Sequence, residues 1–144
     1  MSHPEPAQRV IDVLLVEDDA GDALMIREAF LHHDIRHTLH HVVDGVEAMR
    51  FLRNEGEYDG RPRPDLILLD LNMPGASGLE VMKIIRLCRP HTKVLVISGH
   101  MTPEVRNEFQ KLGQREFVQK PYRLDELGRH IRTLLEAKPL AELA

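Results

Sequence analysis

The chain has 144 residues, 42% of them hydrophobic, which is enough for one domain with a sizeable core and too little for a second. Lys and Arg number 19 against 23 Asp and Glu, a formal charge of -4 that excludes the strongly basic footprint of a stand-alone nucleic-acid binder. The single cysteine, Cys88, excludes an intramolecular disulfide, no apolar run nears the about 20 residues that span a bilayer, and residues 1–9 are polar with two prolines and no apolar signal core; a cytoplasmic protein with a flexible N-terminus and no membrane contact is expected.

Residues 10–16, VIDVLLV, are a short apolar, β-branched run that stops at Glu17, Asp18 and Asp19, which suits a strand buried on both faces. Beyond Gly21, Ala23, Ile26, Phe30 and Leu31 recur at helical spacing to about His33. Residues 38–43 read as a second strand, Asp44-Gly45 as a turn, and Val46, Met49, Phe51 and Leu52 as members of the next helix. Gly56, Gly60, Pro62 and Pro64 predict a loop over 54–64. A third strand covers 65–70, where Leu66 to Leu69 are closed by Asp70, and a helix follows from Gly78 to Leu87. Residues 93–98 make a fourth strand; Thr102 then reads as an N-cap, Pro103 as the first helical position, and Val105, Phe109 and Leu112 as the apolar face of a helix that Gly113 ends. A short strand at 116–119 and a helix carrying Leu124, Leu127, Ile131, Leu134 and Leu135 complete a folded domain over 10–136, followed by a tail at 137–144.

Strands that read as continuous apolar runs and alternate with helices imply a parallel sheet covered on both faces. In such sheets ligands bind beyond the carboxyl ends of the strands, near the point where strand order reverses. Glu17 and Asp18 follow the first strand, Asp70 ends the third, Ser98 the fourth, and Lys120 follows the fifth. An acidic strand end by itself is more often a solvated turn or a helix cap, and Asp19 is read as the cap of the following helix. Carboxylates gathered from separate strands, however, raise one another's pKa unless a cation compensates, and an all-oxygen donor set suits Mg²⁺.

The blocks LLVEDD, LILLDLNMPGASG, VLVISG and FVQKP, in this order, resemble the response-regulator receiver domain of two-component signalling over about Ile11 to Leu135. The resemblance implies a flavodoxin-like, doubly wound, five-stranded parallel sheet in the order 2-1-3-4-5 with five helices on both faces. It implies that Asp70 accepts a phosphoryl group from a histidine kinase, that Asp18, Asp70 and the backbone carbonyl of Asn72 hold Mg²⁺ with Glu17 acting through water, and that Lys120 and Ser98 bind phosphoryl oxygens. It further implies a cis Lys120-Pro121 bond, a switch formed by Ser98 and Phe117, and tuning of phosphate hydrolysis by Asn72 and His100. Core packing is the other role open to Phe117.

The stretches VVDGVEAMRFLRNEGEY and RPRPDLILLDLNMP are similar to single-domain regulators that accompany bacterial phytochromes. They imply a sensor histidine kinase of that type, or a phosphotransfer protein, as partner, together with a homodimer formed on the side of the last helix. The chain ends soon after that helix, so output is expected through protein contact without nucleic acid. The role implied is a phosphoacceptor switch that assists its own phosphorylation and dephosphorylation, as distinct from an enzyme acting on other substrates; a non-phosphorylatable interaction module is the alternative. His32, His33, His37, His40 and His41 cross a helix end, a loop and a strand with no thiolate nearby, and a solvated surface is expected in preference to a metal site.

Overall fold

Each apolar run forms a strand followed by a helix. A computed structural model describes residues 10–71 and 78–136. The elements in chain order are β1 (Ile11–Val16), α1 (Ala20–His32), β2 (His37–Val42), α2 (Gly45–Leu52), β3 (Leu66–Asp70), α3 (Gly78–Cys88), β4 (Lys93–Ser98), α4 (Pro103–Lys111), β5 (Phe117–Gln119) and α5 (Leu124–Glu136). The strands pair in parallel in the order β2-β1-β3-β4-β5, as expected. The N-terminal stretch 1–9 and the tail 137–144 lie outside the described residues.

The period of two along the strands divides the interior into two cores. On one face Val13, Leu15, Leu66, Leu68, Leu95 and Ile97 pack against Ile26 and Phe30 of α1 and Leu127 and Ile131 of α5. On the other, Leu14, Val16, Ile67, Leu69, Val94 and Val96 meet Phe51 of α2, Met82 and Ile85 of α3 and Phe109 of α4. Both faces of β1, β3 and β4 are therefore dry, which accounts for their unbroken hydrophobicity.

Local signals hold the termini of these helices in place. Asp19 caps α1 by accepting from the Gly21 amide at 3.1 Å, Asp44 caps α2 through the Glu47 amide at 2.8 Å, and Thr102 caps α4 through Val105 at 3.2 Å, with Pro103 in the first turn. Gly113 closes α4 at φ +83°, where a side chain would be strained. The buried amide of Gln114 then donates to the Val94 and Glu116 carbonyls at 2.8 and 2.7 Å, while Arg86 reaches the Leu112 carbonyl and Gln114 Oε1.

Four expectations need correction. The loop at 54–64 contains a 3₁₀ turn at Gly56–Tyr58, tied down by the Tyr58 hydroxyl donating to Glu47 at 2.5 Å. Leu31 is 65% exposed, because α1 is apolar on several sides and the sheet accepts only one stripe of it. Val105, expected on the apolar face of its helix, is likewise exposed. Of the clustered histidines only His32 and His41 lie at the exposed surface. His37 stacks on Phe30 with ring centroids 4.4 Å apart, and Nε2 of His40 is 3.0 Å from Asp12 Oδ1. The edge strand β2 places imidazoles where the inner strands place aliphatic groups. No described helix is long and apolar enough to cross a membrane.

The α1–α5 contact depends on a missing side chain. A Cβ added at Gly128 would fall 1.8 Å from the His33 ring, whose Nε2 is buried without a hydrogen-bond partner, while Arg132 donates to the His33 carbonyl. Gly128→Ala is expected to destabilise by about 1–2 kcal/mol despite the better helix propensity of alanine. In a His33→Ala background the same substitution is expected to stabilise. Denaturant melts of the four proteins check both signs.

Candidate functional site

The site is assembled by strand register. Val16 of β1 pairs with Leu69 of β3, so one residue further on Glu17 and Asp70 come level; Leu71 then donates to the Ile97 carbonyl, and the Lys120 amide donates to the Ser98 carbonyl at 2.8 Å. These residues cluster beyond the carboxyl ends of β1, β3, β4 and β5, where strand order reverses about β1. Asp70 ends the central strand and is only 1% exposed, as is Glu17; Asp18 is exposed.

Carboxylate oxygens of Glu17, Asp18 and Asp70 all lie within 4.8 Å of one another. Burial, followed by the adjacent Asp70 carboxylate, pushes the Glu17 carboxyl far above its usual range, although Lys120 pulls it down. Glu17 Oε1 accepts from the Asp19 amide, and Oε2 is buried without a hydrogen-bond partner. A buried, partnerless oxygen within a set of carboxylates fits a hard divalent cation, which would supply the positive charge that the cluster lacks. Among the described residues no other three His, Cys, Asp or Glu side chains gather this closely, so the histidines form no comparable site. Asn72, expected to contribute a ligand and to tune hydrolysis, lies outside the described residues.

Lys120 Nζ is 3.0 Å from Asp70 Oδ2 and also 3.0 Å from Asp22 Oδ2. Burial opposes its charge, but the hydrogen bonds it donates to the two carboxylates outweigh burial and raise its pKa, so it is a fixed ammonium. The Lys120-Pro121 bond is cis, in agreement with expectation. Ser98 is buried at the correct strand end, but its hydroxyl is engaged locally: it donates to the His100 carbonyl at 2.9 Å and accepts from the His100 amide at 3.2 Å. The His100 residue is exposed on the same turn.

Phe117 is half-buried, edge-on to Phe109 at 6.2 Å, with the Arg106 guanidinium 4.6 Å above its ring. It borders a cavity of about 300 Å³ shared with Ser98, His100 and Arg106. Sequence reasoning missed Arg106 and Asp22. The available signal for Asp22 was its place in the first turn of a helix that starts beside the acid pair, but an acid there is ordinary for any helix.

The family model of the response regulator receiver domain matches residues 13–132. Response regulator Rcp1 of Synechocystis is 46% identical over 74 residues, a stretch spanning 51% of this chain and 50% of that protein. The crystal structure of the phosphorylated cyanobacterial phytochrome response regulator RcpA superposes with a TM-score of 0.80 at 32% identity, covering 92% of this chain and 99% of that one. The Mn²⁺-bound form of Rcp1 gives 0.77 at 30% identity, with 90% and 98% covered.

Because the folded, metal-free protein holds the Glu17 proton more tightly than the unfolded chain does, stability is expected to fall as pH rises from the ordinary carboxylate range toward the raised pKa. Glu17→Gln is expected to remove that slope and to raise the melting temperature by several degrees in slightly alkaline, metal-free buffer. Added Mg²⁺ or Mn²⁺ should stabilise the wild type more than the variant. Thermal melts across pH, with and without the cation, check this.

Proposed function

The chain belongs to the response regulator receiver domain family, and from this we propose that it is a phosphoacceptor switch in which Asp70 receives the phosphoryl group of a histidine kinase's phosphohistidine. The observation that carries the reading is one ammonium, Lys120, held 3.0 Å from a carboxylate that is itself packed against two other acids. In the transfer a P–O bond forms at an Asp70 oxygen while the P–N bond of the donor breaks, and the departing imidazole recovers a proton from solvent. Placement and electrostatics carry such a reaction, since an anionic nucleophile must meet an anionic phosphoryl group.

Mg²⁺ bound by Asp18, Asp70 and the Asn72 carbonyl, with Glu17 behind it, would lower that repulsion and orient the phosphoryl oxygens. Lys120 supplies a second positive charge from the β5 side. Ser98 reaches a phosphoryl oxygen only by releasing the His100 carbonyl, so phosphorylation reorganises the turn that leads to α4. The cavity between Ser98 and Phe117 gives the ring space to respond, and the coupling is steric because phenylalanine has no hydroxyl. His100 and Asn72 then influence how long the acyl phosphate lasts.

The partner in this reading is a cytoplasmic sensor kinase, of the bacterial phytochrome kind by analogy with RcpA and Rcp1, and the acyl phosphate changes protein contacts, including self-association into a homodimer on the α5 side. Acetyl phosphate with Mg²⁺ should add one phosphoryl group to the wild type by intact mass, none to Asp70→Asn and none after chelation. Lys120→Met should slow the gain by about 10²-fold. A wild type that gains no mass, or an Asp70→Asn variant that does, overturns the proposal.

A further inference from the structure

Asp22 belongs neither to the carboxylate trio nor to any role assigned above, yet its Oδ2 lies as close to Lys120 Nζ as Asp70 does, at 3.0 Å. We propose that Asp22 is a positioning residue for phosphoryl transfer, pinning the Lys120 ammonium from the α1 side so that it stays directed at the oxygens of Asp70. The inference rests on the phosphoacceptor reading and deepens it.

Lysine is a compact charge on a flexible four-carbon stem, so an unrestrained ammonium would sample positions away from the acceptor. An ammonium has three N–H donors. One directed at Asp22 and one at Asp70 define an axis across the site and leave a third for an incoming oxygen. The two anchors sit on different elements, Asp22 in the first turn of α1 and Asp70 at the end of β3, while Lys120 follows β5.

The surroundings favour a directional pair. Side-chain exposure is 29% for Asp22 and 20% for Lys120, and the cleft of about 270 Å³ beside them is walled by Met25, Pro121 and Tyr122. The Tyr122 hydroxyl is buried without a hydrogen-bond partner, and burial, then the Asp22 carboxylate, push its pKa up to about 12. It therefore stays neutral and brings no competing charge to the pair. At this partial burial a charge-assisted hydrogen bond holds its direction better than one at a fully open surface.

An acid in the first turn also stabilises a helix, and that role alone would affect melting but not chemistry. The test measures acyl phosphate formation from acetyl phosphate with Mg²⁺ by intact mass, as a saturation curve in donor, with circular dichroism melts alongside. Asp22→Ala is expected to lower the maximal rate about tenfold while changing the donor KM less than about twofold. Asp22→Glu, which restores the charge, should recover the rate to within about threefold, and in a Lys120→Met background Asp22→Ala should have no further effect. A wild-type maximal rate for Asp22→Ala, no rescue by Asp22→Glu, or an undiminished loss in the Lys120→Met background each overturns the proposal. In those cases a normally phosphorylated wild type leaves the phosphoacceptor reading standing; a wild type that takes no phosphoryl group overturns both.

Discussion

A carboxylate closing the central strand of a parallel sheet is a charge that the fold can keep only if positive charge is delivered to it. Asp70 is in that position, 1% exposed, with the equally buried Glu17 beside it and Asp18 within the same small volume. Desolvation and like-charge repulsion both act against ionisation there. The protein's own answer is Lys120, and it covers part of the deficit; a divalent cation at the trio would cover the rest. Relief of that repulsion is the driving force that a bound cation would draw on.

The fold makes this affordable by surrounding the site with rigidity. Two separate apolar cores clamp β1, β3 and β4 from both sides, so the strand ends cannot spread to relieve the repulsion. Behind Ser98, in contrast, the structure is looser. Among the described residues the Ser98 hydroxyl bonds within its own turn, it lines a cavity together with Phe117, and α4 is mostly exposed. A stiff charged site that adjoins a yielding turn is the arrangement through which a local charge change becomes a change of surface.

Much of this was legible in the residues. Leu66 to Leu69 followed by Asp70 reads as a strand end with a charge on it, and parallel topology brings the other strand ends to the same edge. Asp19 was recognisable as a cap because cap chemistry is local. What stayed hidden depends on partners distant in sequence. Asp22 looks like any first-turn acid until Lys120, 98 residues later, lies against it. The engagement of the Ser98 hydroxyl with His100 is set by the course of a turn. The histidines of β2 misled for another reason: imidazole is amphipathic, so His37 and His40 could pack against Phe30 and Phe51 at a sheet edge where polarity alone suggested solvent.

The Glu17–Asp70 pair is expected to share a proton near neutral pH, which a bound cation displaces. Titrating Mg²⁺ into the metal-free protein by calorimetry, in buffers of different ionisation heat, counts the protons expelled per cation bound. Release approaching one proton at about pH 7, and diminishing in more alkaline buffer, is the predicted result. Binding without proton release throughout that range would mean that the trio is fully ionised without a cation, and would contradict the account.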